Sequence, residues 1–314
     1  MSHLVIIDGH AIAHRAYHSI PPLSFNGQPL NAIYGFYSML LSAIDQLKPK
    51  YLIVCLDSPG PTFRQTEYVA YRAQRKPTDH DLVSQLPLLP QTLEASAIKH
   101  YSLGGFEADD LIASLVSKSL KKISKKTKKK LVNKITVITG DKDLMQLVGP
   151  KVSLFFPVRG LSETKLYDID GVKQRLEVLP SQVVDLKALM GDPSDNYPGV
   201  TGIGPKVATT LLSQYHTLDN IYSHLSELKP SISEKLIRDK DNAYLSQKLA
   251  TLISNIPLDF TLSSAKIRPK NFQLLSQLFL SYNFKSLFSR LNKNNQLKPV
   301  KIKPETKTNQ VSLF

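Results

Sequence analysis

Residues 4–10 read LVIIDGH, a short apolar run that stops at the carboxylate of Asp8. Two more runs end the same way: YLIVCLD over 51–57 closes on Asp57, and ITVITGDKD over 135–143 closes on Asp141 and Asp143. Runs of four to six apolar residues bounded by turn-forming residues predict buried strands, here Leu4–Ile7, Tyr51–Leu56, Ile135–Ile138 and Val152–Phe156. Helical patterns separate the first three. Strands alternating with helices predict an α/β domain whose mainly parallel sheet is covered on both faces. In such a sheet ligands sit beyond the carboxyl ends of the strands, so the three acidic strand ends converge on one place.

A fourth acidic group lies in GGFEADDLIASLV. There Glu107, Asp109 and Asp110 precede the helically spaced Leu111, Ile112, Leu115 and Val116. One or two acids would serve as helix caps; three exceed that need. From about Asp170 the pattern turns helical, and MGDPSDNYPGVTGIGPKVATTLL adds Asp192 and Asp195. Gly202 and Gly204 permit a tight turn before a helix opened by Pro205. Amides at that helix start, with Lys206 beside them, suit a phosphate.

Nine carboxylates in one pocket cannot all ionise without counter-charge. Hard oxygen ligands without cysteine or paired histidine select Mg²⁺ or Mn²⁺, and two such ions can clamp an in-line displacement at phosphorus. His10, His14 and His18, spaced by four, offer a zinc reading against that of a polar helix face beside the acids. The charge balance favours the phosphate chemistry: 40 Lys and Arg against 26 Asp and Glu leave +14, which suits a polyanionic partner. Nine lysines fall between Lys118 and Lys134, a block that reads equally as a solvated loop or a DNA contact. In TFRQTEYVAYRAQRKPTDHDL, Arg64, Arg72, Arg75 and Lys76 interleave with Phe63, Tyr68 and Tyr71, a mixture that suits a single strand or simply a solvated helix with buried aromatics.

Length and composition set the frame. The 314 residues suggest two domains, and 42% hydrophobic with 21% charged residues describe a globular chain. The single cysteine, Cys55, cannot form an internal disulfide and reads as a packing residue in an intracellular, cytoplasmic protein. No apolar run approaches the ~20 residues of a membrane span, and no export signal is visible.

Taken together, IIDGH, TFR…YRAQR, GFEADD, TGDKDLMQL and MGDPSDNYPGVTGIGPKVA resemble the bacterial 5′–3′ exonuclease family, the flap-endonuclease-like nuclease that also forms the N-terminus of DNA polymerase I. The resemblance covers roughly residues 4–290. It implies a PIN-like α/β domain over 1–170 with a helical arch about 64–95. A helical duplex-binding domain with a helix–hairpin–helix-type motif would follow over 171–290, and a flexible tail over 291–314. By matching motifs, Asp8, Asp57, Glu107, Asp109, Asp110, Asp141, Asp143, Asp192 and Asp195 carry over as acids for two divalent ions. Arg75 and Arg15 carry over as phosphate contacts and Tyr71 as the tyrosine that stacks on a base; Arg72 with Arg75 is expected at the scissile phosphate, and Arg64 and Lys76, interleaved with aromatics, at DNA. Gly202, Gly204 and Lys206 carry over to the duplex, at a hairpin that often holds a monovalent cation such as K⁺.

The chain departs from the family at Arg72, where lysine is usual and an arginine fork is not equivalent, and in the long Lys118–Lys134 connection. The polymerase that often follows this domain is absent, so the resemblance favours a free-standing nuclease; a monomer is expected. The expected activity is hydrolysis of DNA phosphodiesters at 5′ flaps, nicks and gaps, with RNA–DNA primers as a second substrate. A non-catalytic structure-specific DNA-binding protein would have lost metal acids, and a PIN-type ribonuclease has no need of the hairpin and arch. Finally, the Lys- and Pro-rich stretch 298–309 is followed by QVSLF. Gln310, Leu313 and Phe314 there resemble the Gln-x-x-Leu-Phe peptide that binds the bacterial sliding clamp.

Overall fold

The computed structural model describes residues 2–121, 132–159 and 163–295. Most of the lysine block and the Gln310–Phe314 peptide lie outside the described residues. Eight strands occur: β1 His3–Asp8, β2 Ser24–Phe25, β3 Gln28–Pro29, β4 Tyr51–Cys55, β5 His100–Tyr101, β6 Lys134–Ile138, β7 Val152–Arg159 and β8 Glu163–Tyr167. Six form one sheet in the order β5-β4-β1-β6-β7-β8, while β2 and β3 pair as a separate hairpin. All neighbours in the large sheet are parallel except β7 and β8. The β2–β3 hairpin and, in the large sheet, strands β5 and β8 go beyond the four strands that the sequence predicts. Strand β5 is only two residues long and β8 buries only Tyr167 fully, so neither carries an apolar run.

Alternation along the strands divides the core. Leu4, Ile6, Ile53 and Val137 face one way, onto Leu111, Ile112 and Leu115 of helix Ala108–Lys121. Val5, Ile7, Leu52 and Val54 face the other way, onto Ile33, Phe36 and Leu40 of helix Asn31–Leu47. Both faces being covered, each strand reads as a continuous apolar run. The register then fixes the site. Ile7 lies beside both Val54 and Ile138, so Asp8, Asp57 and the Thr139–Asp143 segment leave the sheet at one edge.

Helices Val183–Met190 and Pro205–Tyr215 flank a hairpin, and their Leu186, Leu189, Leu211 and Leu212 join the core shared with helix Ala108–Lys121. The helix–hairpin–helix arrangement is therefore as expected. The chain does not stay in this region to its end. Helices Pro269–Ser281 and Lys285–Asn295 return to the opposite core, where Phe279, Phe284, Leu287 and Leu291 pack with Phe36 and Tyr37, and Arg290 pairs with Asp45 at 3.1 Å. Residues 269–290, which the sequence groups with the helical domain, thus buttress the sheet domain, and Leu291 packs there with them. The last helix also runs past Arg290, where periodicity was expected to end. The arch segment consists of helices Phe63–Glu67, His80–Gln85 and Leu88–Ala95 joined by turns and extended chain. Gln85, fully buried, ties it down by donating to Asn31 at 3.0 Å and accepting from the Ala32 amide at 2.8 Å.

Candidate active site

Asp8 ends β1 and caps the helix that follows, accepting from the Ala11 amide at 3.1 Å and from the Thr139 hydroxyl at 2.8 Å. Gly9 makes this close packing possible, because a Cβ there would lie 2.4 Å from Leu56 and 3.1 Å from the Cys55 carbonyl. Asp57, exposed, accepts from the Ala108 amide at 2.8 Å and so caps helix Ala108–Lys121 from another strand end. Asp8, Asp57, Asp109 and Asp141 line one cavity of ≈ 240 Å³ together with His10, His14, Arg72 and Arg75. Burial, the Asp57 charge and then Asp141 push the Asp8 carboxyl up to about 7. Burial and the neighbouring acids push Asp109 well up as well. The group is short of positive charge.

A second cavity of ≈ 600 Å³ adjoins the first and shares Ala11 and Asp141 with it. Asp143, Asp192, Lys187 and Arg15 line it. Oxygens of Asp143, Asp192 and Asp195 lie within 4.8 Å of one another, close enough to hold a cation. Side-chain cations already stand there. Lys187 donates to both Asp143 and Asp192, while Arg75 reaches Asp195 at 2.6 Å and Arg72 reaches it at 3.1 Å. Burial opposes ionisation of Asp192 and Asp195, yet Lys187 with Ser194, and Arg72 with Arg75, outweigh it and hold both below the usual carboxylate range. Asp143 goes the other way: burial and Asp141 push it up to about 7 despite Lys187. The loop carrying Asp192 and Asp195 is pinned by two glycines packed back to back. Gly191 and Gly199 both have positive φ, and a Cβ on Gly199 would sit 2.1 Å from the Gly191 nitrogen.

Glu107 and Asp110 line neither cavity. Asp110, with no exposed surface, is gripped by both ends of the Arg64 fork at 2.7 and 2.9 Å. Arg64 is 2% exposed and also donates to the Leu249 and Thr251 carbonyls at 2.8 and 3.1 Å. The expectation that Arg64 contacts DNA is therefore corrected: its guanidinium ties the helical region to helix Ala108–Lys121 from inside. Asp110 belongs to that tie rather than to a cavity. Glu107 accepts from Arg72 at 3.1 Å and from the Tyr71 hydroxyl at 3.3 Å. Tyr71, 3% exposed, donates to Asp195 at 2.9 Å, so in this arrangement it is locked among the acids and presents no open face to a base. Lys76 is exposed just beyond Arg75, and Arg15 is half-buried in the second cavity wall. Arg72 adopts φ 57, and its amide donates to the Asp195 carbonyl at 2.9 Å, which bends the arch onto the acids.

The three histidines do not assemble. His10 Nδ1 accepts from the Asp57 amide at 2.9 Å, burial keeps His10 and His14 below their ordinary value, and His18 is exposed. The zinc reading finds no site among the described residues. Gly202 turns the hairpin with φ +83, Gly204 precedes helix Pro205–Tyr215, and Lys206 is exposed at its start. From helix Pro230–Arg238, Lys235 donates to the Gly202 carbonyl at 3.2 Å and Arg238 to the Thr201 carbonyl at 3.1 Å. Lys187, Lys235 and Arg238 escaped sequence reading. Lys187 alone carried a signal, a lone cation in the apolar helix VVDLKALM five residues before Asp192.

A parallel sheet with carboxylates gathered at its carboxyl edge, abutting a helix–hairpin–helix region, defines a two-part α/β protein with the makings of a divalent-ion centre. Residues 3–177 match the family model described as 5′-3′ exonuclease, N-terminal resolvase-like domain, and residues 178–273 match 5′-3′ exonuclease, C-terminal SAM fold. The chain belongs to the 5′–3′ exonuclease family. It is 40% identical to DNA polymerase I of Caldicellulosiruptor bescii over 291 residues, 92% of this chain and 33% of that protein. It is 33% identical to DNA polymerase I of Bacillus subtilis over 294 residues, 93% of this chain and 32% of that protein. The chain thus spans about a third of the length of these relatives. In fold it is similar to the phage T5 flap endonuclease in complex with DNA and metal ions, with TM-score 0.63 and 20% identity over 92% of this chain and 98% of that one. It is similar too to the catalytic core of Rad2 in complex with DNA substrate, with TM-score 0.59 and 15% identity over 92% of each chain.

Proposed function

We propose that the chain is a metal-dependent 5′ nuclease that hydrolyses DNA phosphodiesters where a 5′ single strand meets duplex, leaving a 5′-phosphate. The observation that carries this reading is the pair of adjoining cavities that share Asp141 and take their acids from separate strand ends, a helix start and the hairpin loop. The donors fit hard divalent ions, Mg²⁺ or Mn²⁺, because they are carboxylates in surplus, with Asp8 and Asp109 pushed up by burial and by the neighbouring acids. Asp8, Asp57, Asp109 and Asp141 would hold one ion and Asp143, Asp192 and Asp195 the other. Such ions, when bound, supply Lewis acidity and a nucleophilic water at phosphorus.

The chain's own residues do the rest. Arg72 and Arg75 are placed to leave Asp195 and neutralise charge developing on the scissile phosphate. Lys187 holds Asp192 ionised and keeps both Asp143 and Asp192 in place. At the hairpin, the amides opening helix Pro205–Tyr215 and the exposed Lys206 grip the duplex backbone without reading bases. A monovalent ion there would compete with Lys235 and Arg238 for the Gly202 and Thr201 carbonyls. Substrates proposed are 5′ flaps, nicks, gaps and RNA–DNA primers, cleaved by a monomer. Gln310, Leu313 and Phe314 are proposed to dock the sliding clamp, which would raise the local concentration of nuclease at nicks. Among the described residues no helix is long and apolar enough to cross a membrane. The test is digestion of a 5′-labelled flap beside matched linear duplex and single strand, with and without Mg²⁺. Flap cleavage restricted to the Mg²⁺ reaction supports the reading, and its absence refutes it.

A further inference from the structure

Thr139 lies one residue beyond β6, fully buried, where the sheet gives way to the acidic turn. Its amide donates to the Phe155 carbonyl at 3.4 Å, so its backbone still belongs to the sheet. Its side chain serves the acids. The hydroxyl accepts from the Asp141 amide at 2.9 Å and donates to Asp8 Oδ2 at 2.8 Å. The direction is forced, because an amide can only donate and a hydroxyl has a single proton, which therefore goes to the carboxylate. Asp8 Oδ1 accepts from the Ala11 amide at 3.1 Å, so both oxygens of Asp8 are fixed in aim while each keeps a second lone pair. The chain of bonds continues through Asp141, whose Oδ1 accepts from the Asp143 amide at 2.8 Å. One hydroxyl thus joins an acid of the first cavity to the acid shared by both and, one bond further, to an acid of the second. Ser194, by contrast, donates to Asp192 at 2.6 Å and serves that one acid.

We propose that Thr139 is a positioning residue for both divalent ions, its hydroxyl holding the Asp8 carboxylate and the Asp141 turn at the spacing that ion binding requires. The inference rests on the metal-centre reading and adds to it a residue that is not itself a ligand. Carboxylates brought together from two strand ends repel one another. A proton donated to one and an amide accepted from the other oppose that splaying with a single atom. Groups that orient metal ligands from behind are typically worth ~10–100-fold in metal affinity. Because the Thr139 hydroxyl bonds to both strand ends, its loss should weaken the binding of both ions. Serine can supply the same hydroxyl, whereas valine keeps the shape of threonine and supplies none.

The experiment titrates the DNA-free full chain with Mn²⁺ and follows the unbound ion by electron paramagnetic resonance, for the wild type, Thr139→Val and Thr139→Ser. The valine variant should bind both ions ~10–100-fold more weakly, while the serine variant stays close to wild type. Thr139→Ala, read in its place if the valine variant lacks a cooperative melt, should weaken both steps likewise. Wild-type affinity in the variants without a hydroxyl would overturn the assignment, as would a loss in the serine variant equal to theirs. Single-turnover cleavage of a 5′ flap gives a second readout. The valine variant should need ~10–100-fold more Mg²⁺ to reach half its plateau and approach the wild-type rate once saturated. A lower plateau at an unchanged Mg²⁺ requirement would also overturn the proposal. A wild type that binds Mn²⁺ as described but cleaves no flap ends the nuclease reading and leaves Thr139 to be decided by the titration; a wild type that binds no ion ends both.

Discussion

The two carboxylate groups of the centre meet the same problem in opposite ways. Asp8, Asp57, Asp109 and Asp141 crowd the sheet edge, and two of them are pushed up by burial and by one another. Asp192 and Asp195, on the hairpin loop, are held low because Lys187, Arg72 and Arg75 stand against them. The first group calls for cations from outside; the second keeps cations of its own that can be exchanged for ions or turned toward a phosphate. Burial alone does not set the protonation of a carboxylate. The neighbouring charge decides it.

Arg64→Ala cuts deepest into this comparison, since it would free Asp110 as a third, unpaired buried acid. Loss of one partner of a buried pair costs about 3–5 kcal/mol, and urea unfolding should show that drop at pH 7. A stability change near zero would mean that the Arg64–Asp110 tie does not hold the two regions together.

Arg75→Ala removes one of the hairpin group's own cations. Single-turnover cleavage should fall ~10²–10³-fold, on the order of losing one preorganised donor at developing charge, with DNA affinity little altered. If affinity and its salt slope were all that changed, the arginine would be a simple phosphate contact.

Acidity separates the groups in a third way. Asp8 and Asp143 have folded-state values near 7 against an ordinary 3.8. Their stabilising contribution is complete below the ordinary value and is lost as pH rises through about 7. Asp192 and Asp195, with lowered values, stabilise above the ordinary value and lose that contribution only in acid. Ion-free protein should therefore melt at lower temperature as pH rises from about 5 to about 8, and Mg²⁺ should flatten the trend. An ion-free melting temperature that climbs over this interval would contradict the assignment of the sheet-edge acids.

The smallest effect is expected away from both groups. Lys206→Ala should reduce the salt slope of duplex binding by about 1 while leaving free single strands untouched. Equal loss on both would detach the hairpin from the duplex.

Much of this was legible beforehand because local rules and the fold agree. Apolar runs ending at Asp8, Asp57 and Asp141 announced both the sheet and its acidic edge, and Gly202 with Pro205 announced the hairpin. Inward or outward aim was not legible. Arg64 and Tyr71 sit among cations and aromatics that sequence alone cannot assign to a face, and both turned inward onto the acids. Strand β8 lacks an apolar run because it is an edge. The return of Pro269–Asn295 to the sheet domain is a long-range choice that no local spacing encodes. Lys187 was hidden for a related reason: its partners Asp143 and Asp192 come from two different elements.

Asp141 lies where the two cavities meet, and Asp143 takes its neighbour's charge from one side and Lys187 from the other. Single-turnover cleavage of a 5′-labelled flap by the Asp141→Ala/Asp143→Ala variant in Mg²⁺, beside its affinity for the same flap, therefore tests the centre as a whole. The account predicts binding close to wild type with cleavage reduced to background, whereas robust Mg²⁺-dependent cleavage by that variant would contradict it.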